Sequence, residues 1–165
     1  MHFELKLATA DDAEAIASLR TAVAQRLTLQ YGKGHWSSAA SAKGVLFDLR
    51  TSRVYVARCE ERLIATLRLA TKKPWAIDKT YFSACERPLY LTSMAVDPEL
   101  QRTGIGRLCI EETKKIVKSW PADAIRLDAY DAEAGAGEFY RKCGFREVGR
   151  VSYRATPLIY FEMLL

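Results

Sequence analysis

Gln101-Arg102-Thr103-Gly104-Ile105-Gly106-Arg107 is the stretch of this chain whose residue types and spacing best suit chemistry. Gly104 and Gly106 bring no Cβ, so a bulky anion can approach the backbone N–H groups around them. A helix opening at this point would add its unpaired first amides and the positive end of its dipole. Arg102 and Arg107 would add full charges at the mouth. The ligand so described is a phosphate or pyrophosphate. No Walker lysine follows the glycines, and the loop is too short for the GxGxxG dinucleotide fingerprint, so ATP and NAD fit less well than another pyrophosphate.

Other residues could handle protons. Tyr140 closes an apolar segment before Gly144 and Phe145. Its phenol keeps its proton at neutral pH and can donate it, although a tyrosine there can equally be a core aromatic. Glu86, Asp128 and Glu133 are candidate bases that the sequence alone does not separate. His35 and Trp36 could line a substrate pocket or a solvated loop, and Cys143 reads as a small packing residue before a nucleophile.

The elements that must position these groups follow from pattern and punctuation. Met1–Leu7 alternates as a strand, and Thr9 to Asp12 caps a helix from about Asp11 to Leu29. A glycine break at Gly32–Trp36 precedes a shorter helical segment over Ser37–Leu49. Arg53–Arg58 and Arg62–Leu69 read as an antiparallel hairpin, followed by a polar and aromatic loop from Lys72 to Arg87. Leu89–Val96 is strand-like and closed by Asp97-Pro98; a helix then runs from about Thr103 to Trp120, with Ile105, Leu108, Cys109, Ile116 and Val117 on its apolar side. Ala124–Tyr130, a short helix over Gly137–Cys143, and strands near Val148–Tyr153 and Pro157–Leu164 complete a β-α-α-β-β-β-α-β-α-β-β order. That order is mixed α/β (α+β), and residues 1–165 read as a single domain without repeat or linker.

Composition narrows the function classes. At 165 residues, with 49% hydrophobic and 27% charged, the chain reads as one globular core. No apolar run reaches a membrane span, and the start does not resemble a signal peptide, so the expectation is a cytoplasmic protein without a membrane partner. Cys59, Cys85, Cys109 and Cys143 show no CxxC spacing, and His2 and His35 are the only histidines, so no metal site is expected. The net charge of +5 is scattered among acidic residues rather than gathered into a nucleic-acid-binding arm. The sequence is silent on oligomeric state and leaves a homodimer open.

At Gln101 to Gly106 the chain resembles the GNAT superfamily of N-acyltransferases, whose central motif is Gln or Arg, two variable residues, Gly, one variable residue, and Gly or Ala. Phe139-Tyr140-Arg141-Lys142-Cys143-Gly144-Phe145 is similar to the second family motif. The resemblance implies a mixed β-sheet flanked by helices, with the strand Leu89–Val96 splayed from its neighbour. It implies acetyl-CoA as cosubstrate, held by Met94, Ala95 and Val96 along the pantetheine and by Gln101, Arg102, Thr103, Gly104, Ile105, Gly106 and Arg107 around the pyrophosphate. It implies an amine acceptor attacking the thioester directly, with Tyr140 returning a proton to the departing sulfur. Where many relatives carry an Asn upstream of the Phe-Tyr pair, this chain has Glu133, so the pantetheine contact of that Asn is not expected. A noncatalytic acyl-CoA-binding module is the alternative. The acceptor is expected near Gly32–Trp36 and Lys72–Arg87, which are aromatic, polar and separate from the cofactor motif.

Overall fold

A computed structural model describes residues 2–165. In chain order the elements are β1 (Lys6–Leu7), α1 (Ala13–Tyr31), α2 (Ala42–Thr51), β2 (Arg53–Cys59), β3 (Arg62–Ala70), β4 (Pro88–Val96), α3 (Ile105–Ser119), β5 (Ala124–Tyr130), α4 (Gly137–Lys142), β6 (Arg146–Tyr153) and β7 (Thr156–Leu164). The strands form a seven-stranded mixed sheet in the order β1-β2-β3-β4-β5-β7-β6. The mixed α/β class is the one the sequence pattern predicts. No helix among the described residues is long and apolar enough to cross a membrane.

The chain forms two compact units: residues 1–69 with 93–113, and residues 70–92 with 114–165. In the first, Ala13, Ile16 and Ala17 of α1 pack with Val45 of α2 and with Val54 and Val56 of β2. The expected first strand shrinks to Lys6–Leu7, paired with Val56 and Tyr55, and its predicted first residue, Met1, lies outside the described residues. Ser41 sets the start of α2, accepting a hydrogen bond from Gly44 N at 3.1 Å, so this helix begins later than the pattern suggested. The β2–β3 hairpin is antiparallel, with Glu60 at φ 56 in its turn.

In the second unit β5 pairs antiparallel with β7 from Ala124↔Leu164 to Tyr130↔Leu158, and β6 pairs with β7 on its other side. Parallel pairing of β4 with β5 covers Pro88–Tyr90 against Ala124–Arg126. Three residues beyond Tyr90, Ser93 takes φ 52, which strands do not adopt, so β4 is kinked before it reaches Met94. The apolar side of α3 differs from the expected one. Ile105, Cys109, Ile110 and Val117 are buried, whereas Leu108 is 40% exposed, because the inward row follows steps of four residues from Ile105.

Candidate active site

The turn between β4 and α3 is built from its carboxylates outward. Asp97 N donates to Ile64 O at 2.8 Å, which joins the end of β4 to β3. The Asp97 side chain accepts from Glu99 N at 3.0 Å and from the Arg62 guanidinium, which also reaches Glu99 at 3.0 Å. These contacts, Glu99 first and then Asp97, hold the Arg62 proton more tightly than usual. Both carboxylates of the turn thus share one guanidinium, which draws them toward Arg62 and offsets part of their charge.

The backbone then turns sharply. Arg102 has φ 62 and Gly104 φ 97, and Leu108 N donates to Gly104 O at 3.1 Å as α3 begins. At Gly104 the demand for glycine is conformational: a Cβ there would meet nothing within 4 Å, but the backbone occupies a region that side chains disfavour. Gly106 lies in the first turn of α3, which carries no acidic residue. Gln101, Arg102, Thr103, Gly104 and Arg107 are exposed. Gln101 also has an internal task, since its Nε2 donates to Val96 O at 3.2 Å and ties the loop back to the strand carrying Met94, Ala95 and Val96. The residues expected to bind the cofactor thus occupy one continuous segment of one unit. Amides at a helix start, positive-φ turns, and the guanidinium groups of Arg102 and Arg107 together fit a diphosphate.

Tyr140 belongs to the other unit. Its ring lies 5.1 Å from Phe139, 5.6 Å from Phe145 and 6.0 Å from Phe161, and it is 8% exposed. α4 packs on the sheet beside Phe161, where a Cβ at Gly137 would make ordinary van der Waals contact at 3.4 Å. Gly144, at φ 96, ends the segment so that Phe145 can return to Tyr140. Burial first, then the charges of Asp128 and Cys143, push the Tyr140 phenol above the ordinary tyrosine range. A phenol so raised keeps its proton at neutral pH and is a hydrogen-bond donor that does not readily surrender it.

The three candidate bases separate here. Glu86 and Glu133 are exposed side chains. Asp128 is half-buried, and burial raises its pKa. Its charge is felt by Tyr130, Tyr140 and Tyr160. Sequence reasoning named Asp128 without being able to prefer it. Its alternation with Arg126 and Tyr130 along a strand gives the face it shares, but not the depth of its burial.

Residues 20–145 match the acetyltransferase (GNAT) family. This chain therefore belongs to the GNAT family of acetyl-CoA-dependent acetyltransferases. Solved structures agree in fold. An acetyltransferase of the GNAT family from Listeria monocytogenes is 16% identical, with TM-score 0.75 and coverage of 99% of this chain and 95% of that one. The ribosomal-protein-S18-alanine N-acetyltransferase of Escherichia coli is 16% identical, with TM-score 0.71 and coverage of 99% and 94%. A Bacillus subtilis acetyltransferase in complex with CoA is 17% identical, with TM-score 0.65 and coverage of 99% of each chain. No curated protein matches this chain in sequence.

Proposed function

We propose that this chain transfers the acetyl group of acetyl-CoA to a primary amine, on a small molecule or a free amino terminus, by direct attack. The observation that carries the reading is the β4–α3 turn, left-handed at Arg102 and Gly104 and opening onto a helix start, in a chain of the GNAT family. Bound acetyl-CoA supplies an activated thioester carbonyl. The amides of Ile105 and Gly106 with Arg102 and Arg107 hold the diphosphate, and the backbone of Met94, Ala95 and Val96 follows the pantetheine.

A lysine-like amine is mostly protonated at pH 7, and neutralising it costs about 4 to 5 kcal/mol. Asp128 is the carboxylate suited to take that proton, directly or through a water, because burial has already raised its affinity for one. As the carbon–nitrogen bond forms and the carbon–sulfur bond breaks, Tyr140 is the residue assigned, on the family resemblance, to donate a proton to the departing sulfur. An alanine-initiated peptide belongs among the acceptors to be tried, given the E. coli neighbour's substrate.

The test is release of the CoA thiol with a panel of a polyamine, free amino acids and an alanine-initiated peptide, beside calorimetric titration of CoA. Thiol release above the acceptor-free blank is expected with at least one amine. Tight CoA binding with no release from any of them would instead make the chain a binding module. A folded Gly104→Val, Gly106→Val double variant with undiminished CoA affinity would move the cofactor elsewhere.

A further inference from the structure

The loop between β3 and β4 is fastened to the sheet by charged and phenolic side chains that the acetyl-transfer reading leaves without a role. Register places Tyr90 beside Arg126, Arg126 beside Glu162, and Glu162 beside Arg146, which makes one polar row across β4, β5, β7 and β6. Arg126 and Glu162 side chains are only 4% and 1% exposed, and their Nε–Oε2 separation is 3.2 Å. Burying such a pair is costly unless further hydrogen bonds complete it. Here the completing partners lie in the loop: Arg126 Nη2 donates to Ser83 O at 2.6 Å and Ser83 N donates to Glu162 Oε1 at 3.2 Å. Arg126 Nη1 also donates to Tyr90 Oη at 3.3 Å, and its guanidinium lies 5.0 Å from the Phe82 ring centroid.

The adjacent row carries the proposed base. Asp128 stands opposite Tyr160, and Tyr160 opposite Gly149. The Tyr160 hydroxyl donates to Ala76 O and accepts from Asp78 N at 3.1 Å. Tyr81 meets Tyr160 edge-on at 5.5 Å and covers Gly149, where a Cβ would fall 2.3 Å from its ring. Opposed residues of paired strands share a face. Residues 76–83 therefore lie across the face that holds Asp128, with one end fixed by Tyr160 and the other by Arg126 and Glu162.

We propose that Arg126 and Glu162 are positioning residues that clamp the loop 76–83 as a fixed wall of the acceptor site beside Asp128. The wall's function rests on the acetyl-transfer reading; the clamp itself does not. Arg126→Met with Glu162→Met removes both charges together and keeps apolar bulk, which avoids stranding one buried ion. Arg126→Lys is the milder partner: it leaves a positive charge beside Glu162 but lacks the planar fork that reaches Ser83 and Tyr90 at once.

Hydrogen exchange of the loop amides decides the clamp. Exchange at Ile77–Ser83 should rise at least tenfold in both variants, or in Arg126→Lys alone should the double variant fail to fold. The KM for the best amine of the panel should rise about ten- to hundredfold through misplacement of the wall, while acetyl-CoA affinity stays within about twofold. Unchanged loop exchange in folded Arg126→Lys overturns the clamp. Faster exchange with unaltered acceptor KM overturns the wall. Failure of the unsubstituted protein to acetylate any amine sinks the functional reading instead, and the exchange measurement still decides the clamp.

Discussion

Gly104→Ala offers a direct test of the cradle, because the structure supplies its own control. Gly104 has φ 97 and Gly32, at the end of α1, has φ 84; a Cβ at either would meet nothing within 4 Å. Alanine at each position thus introduces backbone strain without a clash, worth about 1–3 kcal/mol for a side chain held at positive φ. For a chain of this size each kcal/mol lowers Tm by about 2–4 °C, so both variants should melt about 2–12 °C below the parent in the absence of ligand. Their CoA affinities should differ. If the turn relieves strain by rotating out of the left-handed region, the amides ahead of α3 lose their common aim. Up to about tenfold in Kd is then lost, the equivalent of 1.4 kcal/mol. Gly32 lies outside the cradle, so its variant should bind CoA as the parent does. Differential scanning fluorimetry without ligand and calorimetric titration with CoA give the two readouts. Equal CoA affinity for the two folded variants would refute the idea that the Gly104 conformation shapes the binding site.

Tyr140→Phe keeps the ring that packs on Phe139, Phe145 and Phe161; kcat should fall roughly ten- to a thousandfold with little change in acetyl-CoA affinity, as measured by steady-state kinetics with chemistry rate-limiting. Asp128→Asn should also lower kcat, yet raise Tm at pH 7. The folded-state pKa of Asp128 is raised, so the stability of its neutral form is present below its unfolded value and lost as pH rises through the folded one. The Tm advantage of the Asn variant should therefore shrink as the melting buffer is acidified. Glu147 shows the opposite sign: Arg150, then Arg141, hold it down to about 2, so its contribution is present above the ordinary value near 4.5 and lost as pH falls toward 2. Acid titrations of stability should show Glu147→Gln lacking that portion of the wild-type loss.

Much of the fold was legible in the residues because local signals agreed. Val54 and Val56 alternate, the Glu60–Glu61 turn follows, and Pro98 closes β4, so strand and turn chemistry point the same way. Where the reading slipped, tertiary contacts outweighed the pattern. Leu108 scores as a core position by spacing, but the row that meets the core runs through Ile105, Cys109 and Val117. The loop from Lys72 to Arg87 showed no period at all. Its order comes from partners distant in sequence: Tyr160 for Ala76 and Asp78, Arg126 and Glu162 for Ser83, and Asp123 for Cys85 and Arg87. A window moved along the sequence cannot register such pairings.

The candidate site divides in the same way. The glycine turn could be read directly, since its demands are local: left-handed backbone at Arg102 and Gly104 and a helix immediately after. Asp128 could not. As a carboxylate it resembles Glu86 and Glu133, and only its place in the sheet, opposite Tyr160, leaves it half-buried and raises its pKa. A carboxylate in that setting is costly to ionise, and this cost gives it the proton affinity that an amine-activating base needs. The proposed clamp and the proposed base stand on one face of the sheet, so loosening the loop should admit water to Asp128, lower its pKa, and weaken the base before it disturbs the cofactor.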